Sequence, residues 1–263
     1  MSFIGKTIRW VLNTIPRPAL QRVAEWAVPV VGLFYLGKGR ECPICGAQRR
    51  KFLPYGYGQV REDALCPKCL SLERHRLLWH YLMNNDSVRE KIKSLPTILH
   101  IAPEVCMMKE FKRIYKSAPY SYITADLESP LADMHFDVQS IPMKDSSVDI
   151  IICNHILEHV ESDSRALSEM YRIMRPGGFG VMLAPVDYSR ETTFEDDTIT
   201  DPKERAKIFG QYDHRRVYGK DYLNRLSAAG FEAVEIDYAA QFTDLERTKY
   251  SFGCDHIYIV RKG

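Results

Sequence analysis

After Pro96 the chain alternates short apolar runs with segments of helical period, the pattern of βαβ units in a largely parallel sheet. Strands are predicted at 98–102, 122–126, 136–138, 148–154, 180–184, 233–238 and 256–260, with helices at 107–116, 164–174 and 220–229. Residues 187–218 form a longer, more polar connection than compact domains usually carry, and such connections tend to hold function. Upstream, Leu72, Leu77, Leu78, Tyr81 and Leu82 make the apolar stripe of a helix over 71–84, with Asn84-Asn85-Asp86 as its end. Between Arg40 and Leu70 no apolar period is sustained, so that segment needs something other than a core to hold it. At the front, Phe3, Ile4, Ile8, Val11, Leu12 and Ile15 recur at helical spacing with Lys6 and Arg9 among them, and Pro16-Arg17-Pro18 breaks the run. The expected organisation is therefore a helical arm over 1–39, a small domain with a linking helix over 40–95, and an α/β domain over 96–263.

Charge sharpens this division. Of 36 Lys and Arg and 34 Asp and Glu, residues 1–95 hold 16 basic against 7 acidic, so the bland net charge of +2 hides a basic front and an acidic remainder. A basic front suits phosphates of nucleic acid, lipid headgroups or an anionic substrate, and equally a solvated basic face. Trp10, Trp26, Phe34 and Tyr35 add interfacial side chains. Two readings of the arm follow: a helix lying on an anionic membrane surface, or a helix packed on the body or a second subunit. The most apolar early stretch, 23–36, contains Glu25 and Pro29 and falls short of the roughly 20 residues needed to span a bilayer. Without a signal-peptide cleavage pattern, the expected place is the cytoplasm, with peripheral contact at the inner membrane face as an option.

Seven cysteines fall as two C-x-x-C pairs and three singletons, Cys106, Cys153 and Cys254, unlike a secreted disulfide scaffold. Cys42-Pro-Ile-Cys45-Gly and Cys66-Pro-Lys-Cys69 give the spacing of a zinc ribbon. Two residues between thiols let each pair grip one ion from a tight turn, and four thiolates complete the tetrahedral shell of Zn²⁺. A shell closed by four protein ligands is structural. Gly46 is expected to let the backbone double back, and Cys153, in an apolar strand, is expected to pack in the core.

Two longer motifs follow in order. One is Asp137-Val138-Gln-Ser-Ile-Pro142-Met-Lys-Asp-Ser-Ser-Val148-Asp149-Ile-Ile-Ile-Cys-Asn154-His-Ile-Leu-Glu158-His159-Val, and the other is Met170-Tyr-Arg-Ile-Met-Arg-Pro176-Gly177-Gly178-Phe-Gly. The chain from about Pro96 onward resembles, in these motifs, class I methyltransferases of the type 11 family. That resemblance implies an α/β, Rossmann-like, seven-stranded, mostly parallel sheet with helices on both faces, and S-adenosylmethionine as cofactor. Ligands in such sheets sit at the carboxyl ends of the strands. Asp126 would accept the ribose hydroxyls and Asp137 the adenine amino group, with Val138 and Asn154 beside them. The first loop departs from the family. It reads Ile98-Leu-His100-Ile-Ala102-Pro103-Glu104, without glycine, and His100 stands where the family has a carboxylate. Backbone approach is then expected not to depend on positive φ. Glu104 is expected to supply the missing charge toward the α-ammonium, with Ala102 keeping the turn small.

Transfer from a sulfonium needs an acceptor held in line and, for a hydroxyl, a base. His214 and His155 are the candidate bases; His159, common in the family, is expected to pack. Arg215, Arg216 and Tyr218 are candidate contacts to a substrate carboxylate or phosphate. Asn154 lacks the following Pro-Pro-aromatic run, and Cys153 the preceding proline, of base-methylating enzymes. A small-molecule, glycan or lipid-linked acceptor, anionic or hydroxyl-bearing, is therefore expected. Two alternatives stay open: an RNA methyltransferase docking through the ribbon, and a non-catalytic zinc-ribbon binding protein with a degenerate cofactor site.

Overall fold

The computed structural model describes residues 28, 30–56 and 60–263. Of the helical arm expected over 1–39, residues 1–27 and 29, with Trp10 and Trp26 among them, lie outside the described residues. The chain divides into two compact units. One takes the described residues up to His80 together with Val105–Met107 and Phe242–Gly253; the other takes Tyr81–Glu104, Met108–Gln241 and Cys254–Gly263. The first unit thus draws on three stretches of chain.

In the first unit β1 (Leu36–Glu41) pairs with β2 (Gln48–Arg49), and β3 (Leu53–Tyr55) with β4 (Arg61–Leu65), both antiparallel. Helix α1 (Glu73–Asn84) follows, largely within this unit. Beside a small apolar core that includes Ile44, Phe52, Leu77 and Leu78, a buried arginine fastens this unit. Arg76 is fully buried. Its Nε donates to the carbonyl of Tyr250 at 2.9 Å, Nη2 to that of Ser251 at 2.7 Å, and Nη1 to those of Ala64 and Ser71 at 3.0 and 2.7 Å. The guanidinium also lies over the Phe52 ring, 4.7 Å from its centroid. One side chain therefore ties β4, the second cysteine turn and the 242–253 segment.

In the second unit the first whole element is α2 (Asp86–Lys93), a helix the sequence reading omitted. Helix α1 ends at Asn84 as expected, and Asn85 has a second task. Its side chain accepts from the amide of Val88 and starts a new one. The sheet then runs through β5 (Ile98–Ile101), α3 (Val105–Ile114), β6 (Tyr122–Asp126), β7 (Met134–His135), β8 (Val148–Asn154), α4 (Asp163–Ile173) and β9 (Met174–Leu183). The long connection holds β10 (Phe194–Glu195), α5 (Pro202–Ile208) and β11 (Arg216–Val217), and α6 (Tyr222–Ala228), β12 (Glu232–Ile236) and β13 (Ile257–Arg261) follow, with α7 (Asp244–Tyr250) of the first unit between the last two strands. Seven strands join in the order β12-β13-β9-β8-β5-β6-β7. Only β13 runs against the rest. The expected seven-stranded, mostly parallel sheet is present. The third strand lies at Met134–His135 rather than 136–138, since only two residues there pair with β6. No helix among the described residues is long and apolar enough to cross a membrane.

Strands β5 and β8 are buried along nearly their whole length, as central parallel strands covered on both faces must be. Their Leu99 and Ile151 share one core cluster with Met170, Met182, Tyr222 and Val260. Cys153 lies in this core, and burial pushes its thiol well up, so it packs as expected.

Arg76→Ala is expected to lower the unfolding free energy of the first unit by about 3 kcal/mol or more, since each stranded buried carbonyl costs about 1–3 kcal/mol. Denaturant unfolding of the full chain, followed by tryptophan fluorescence at Trp79, checks this.

Candidate functional site

The site is built at the carboxyl ends of β5, β6 and β8, where the parallel strands stop and polar side chains can gather. In β5 His100 is fully buried. An imidazole inside a sheet must have both nitrogens satisfied. Nδ1 lies 2.9 Å from the hydroxyl of Tyr122 on β6, and Nε2 lies 3.0 Å from Glu104 Oε2. Glu104 is the N-cap residue of α3 but makes no side-chain cap bond, because its carboxylate turns to the sheet instead. Its Oε1 accepts from Asn154 Nδ2 at 3.0 Å, across from the end of β8. The structure therefore brings His100, Glu104 and Asn154 together. His100 has no nitrogen left for a ligand, so its expected contact with a cofactor is corrected: it supports Glu104 from behind. Tyr122, which the sequence reading missed, supports His100 in turn, and burial pushes its phenol well up, keeping it a neutral donor or acceptor.

Ala102 corrects a second expectation. Its φ is +45°, so the first loop does use the left-handed region although it has no glycine. Its amide donates to the carbonyl of Ala125 at 2.7 Å. A small side chain makes that conformation bearable, at a cost of about 1–2 kcal/mol.

Asp126 is half-buried at the end of β6, its Oδ1 accepting from the amides of Glu128 and Ser129 at 2.9 and 2.8 Å. Asp137 is exposed, with its carboxylate held by the amide and side chain of Gln139 at 2.8–3.2 Å. Val138 beside it is buried. The loop carrying these two is clamped by Arg172 of α4, which donates to the carbonyls of Met143 and Ile141 at 2.8 and 2.9 Å. The donor set suits a nucleoside with an amino-acid tail: a carboxylate at the end of β6, one two residues past β7, a third between β5 and β8, and Asn154 Oδ1, buried without a protein hydrogen-bond partner.

Past β8 the chain turns through His155, a non-glycine residue at φ +54° whose amide donates to the carbonyl of Leu183 at 2.8 Å. His155 Nδ1 stands 3.4 Å from Glu158 Oε1. Burial, the largest single influence, opposes charge on Glu158, but the hydrogen bond and charge of His155, a backbone hydrogen bond and His159 together hold the carboxyl below the usual range. His159 meets His214 edge to face, ring centroids 4.7 Å apart, and burial pushes the His214 pKa down. His159 therefore belongs to a polar cluster rather than to the packing role expected of it.

Two expected substrate contacts are corrected. Arg216 is 2% exposed, and its guanidinium is spent on the carbonyls of Leu157, Val160 and Glu161 at 2.6–2.9 Å and on Glu195 at 2.9 Å. It fixes the histidine-bearing loop. Tyr218 is fully buried, donating to Asp163 Oδ2 at 3.0 Å. Arg215 alone of the three stays half-exposed, 3.6 Å from Asp197.

The cysteine quartet sits in the first unit. Cys42 Sγ lies 3.6 Å from Cys69 Sγ and Cys45 Sγ 3.8 Å from Cys66 Sγ, and all four lie within 4.8 Å of one another. A tetrahedron with bonds of about 2.3 Å has edges of about 3.8 Å, so the quartet fits a metal ion. Both turns close alike: the amide of Gly46 reaches the carbonyl of Cys42, and that of Leu70 the carbonyl of Cys66, each at 2.9 Å. Gly46 at φ +65° doubles back as expected, and Leu70 does the same at +61° with a full side chain.

Residues 93–182 match the family model described as a methyltransferase domain, so the α/β unit carries a methyltransferase domain, with the S-adenosylmethionine-dependent class as its kin. Among curated proteins, the chain is 32% identical over 91 residues to the malonyl-[acyl-carrier protein] O-methyltransferase of Pectobacterium atrosepticum, covering 30% of this chain and 36% of that one. It is 31% identical over 104 residues to the arsenite methyltransferase of Halobacterium salinarum, covering 38% and 24%. The chain spans less than half the length of the curated relatives it matches. Among solved structures, an S-adenosylmethionine-dependent methyltransferase from Mesorhizobium loti superposes with a TM-score of 0.42 at 16% identity, covering 67% of this chain and 97% of that one.

Ala102→Val is expected to cost about 1–2 kcal/mol relative to Ala102→Gly, because a β-branched residue resists positive φ and glycine does not. Thermal denaturation of the ligand-free chains checks it.

Proposed function

We propose that the protein moves a methyl group from S-adenosylmethionine to a small-molecule, glycan or lipid-linked acceptor. The observation that carries this reading is the Glu104 carboxylate held between His100 and Asn154 at the carboxyl ends of β5 and β8. There it restores the negative charge that the family keeps at the end of its first strand. When bound, S-adenosylmethionine supplies an electrophilic methyl group on a sulfonium that is already an activated leaving group. What remains to the protein is positioning of the acceptor and removal of its proton. Glu104 would hold the α-ammonium, Asp126 the ribose and Asp137 the adenine edge. The cluster of His155 and His214 around Glu158 is the polar patch available to an acceptor hydroxyl, and Arg215 the nearby cation. The quartet of thiols would hold one zinc ion with a structural role.

Glu104→Gln is expected to weaken S-adenosylmethionine and S-adenosylhomocysteine alike, by about 1.5–3 kcal/mol for a bond to a charged group, while hardly touching an analogue without the amino group. Calorimetric titration reads this, and equal losses for the analogue would make Glu104 a structural loop residue. Asp126→Ala and Asp137→Ala should each cost about 1–3 kcal/mol of cofactor affinity. Unchanged affinity in both would move the cofactor elsewhere. The acceptor class is tested by incubating the protein with methyl-labelled cofactor and fractionated cell extract; label entering RNA would favour the ribbon-docked RNA reading instead. Metal analysis should find one zinc per chain that resists a weak chelator, lost when Cys42, Cys45, Cys66 or Cys69 is replaced by Ser.

A further inference from the structure

We propose that Glu158, His159 and His214 form a second, open site for a divalent first-row transition-metal ion at the carboxyl end of β8. One ligand atom from each of the three lies within 4.8 Å of the others, close enough for an ion with bonds of about 2.1 Å to draw them in. Glu158 is 1% exposed, and its Oε2 is buried without any protein partner. A carboxylate oxygen stranded in this way is costly unless something positive meets it. Its other oxygen already faces His155, so that neighbour does not relieve Oε2.

The two imidazoles are prepared as ligands rather than as a loose pair. His214 Nδ1 lies 3.1 Å from the carbonyl oxygen of Phe209, which can only accept, so the proton sits on Nδ1 and the lone pair on Nε2. His159 Nδ1 lies 3.5 Å from Asp213 Oδ2, the carboxylate–histidine backing that metal-bound imidazoles commonly carry. The backbone holds the three in place as well. The amide of Arg215 donates to the carbonyl of Glu158 at 2.9 Å, joining the segment that carries His214 to the one that carries Glu158 and His159. Arg216 fastens Leu157, Val160 and Glu161 on either side.

Two imidazoles and one carboxylate form the donor set of hydrolytic zinc and non-haem iron sites, which keep coordination positions open. His159 is 30% exposed, so the open side reaches solvent. A divalent ion here would carry a net charge of +1. If the proposed methyltransferase activity is right, and this role rests on that reading, the open positions take an oxygen of the acceptor, either hydroxyl or carboxylate. His214 is then a ligand, and His155 is the histidine left for the acceptor's proton.

The test adds cobalt(II) to the full-length, zinc-loaded chain and follows uptake by calorimetry and visible absorption. The unmutated chain should take up one equivalent with weak nitrogen–oxygen ligand-field bands and no intense sulfur charge-transfer band. Glu158→Gln and His214→Gln should each weaken that uptake at least tenfold while leaving far-ultraviolet circular dichroism and the zinc content unchanged. Uptake only at sulfur, or uptake unaltered in both variants, would overturn the site. Should either variant fail to fold, the stoichiometry and spectrum of the unmutated chain decide alone. Cofactor titration of the same samples separates the two ideas: bound cofactor without cobalt uptake sinks the ion alone, and cobalt uptake without cofactor binding sinks the methyltransferase reading alone.

Discussion

The pairing of β5 with β8 governs the second unit. Both strands are covered on both faces, so almost any polar side chain along them would be buried without water. Chemistry is forced to the strand ends, and the one polar exception within β5, His100, is tolerated because Tyr122 and Glu104 satisfy both of its nitrogens. The same exception then does service at the end of the strand. An imidazole locked from behind holds a carboxylate that would otherwise be free to cap α3, and delivers it to Asn154.

This explains how a first loop without glycine remains compatible with a close ligand. The usual solution places glycine where the backbone must adopt positive φ. Here Ala102 takes that conformation, and the surrounding bonds, including its amide to Ala125, over-determine it. His155 takes a left-handed conformation at the end of β8. Two of the three strand ends that form the site are thus held in backbone states that side chains ordinarily avoid, which is where proteins tend to store strain for function.

What the sequence made legible follows the range of each interaction. The bounds of β6 and β8 are read correctly because short, mostly apolar runs that end in a polar residue, Asp126 and Asn154, mark buried strands. The quartet is legible because each thiol pair is local, and the two halves of its geometry repeat the same turn. Strand β7 is misplaced since two residues leave no period to read. Helices α2, α5 and α7 are short, and their signals are caps rather than stripes: Asn85, Asp201 and the Thr243–Glu246 capping box. Arg216 and Tyr218 look like substrate contacts in a polar connection because composition cannot tell a solvated guanidinium from one buried among carbonyls.

The cluster around Glu158 was legible only in part, and the reason lies in Arg216. Glu158 and His159 belong to one motif, whereas His214 sits far along the chain in a connection with no period of its own. A buried guanidinium in β11 brings them together by consuming the carbonyls that the turn after β8 leaves exposed. Helix or strand hydrogen bonding would have satisfied those carbonyls, but it would also have carried the backbone onward and taken the histidines away from the sheet. An arginine clamp keeps the turn irregular and compact at once. The irregular turn lets Glu158 point inward with one oxygen unpaired, and its compactness holds His159 against His214. Removing the clamp would therefore disturb this cluster before it disturbed the sheet, since β8 is held by its own ladder to β5 and β9 and does not need Arg216 to persist.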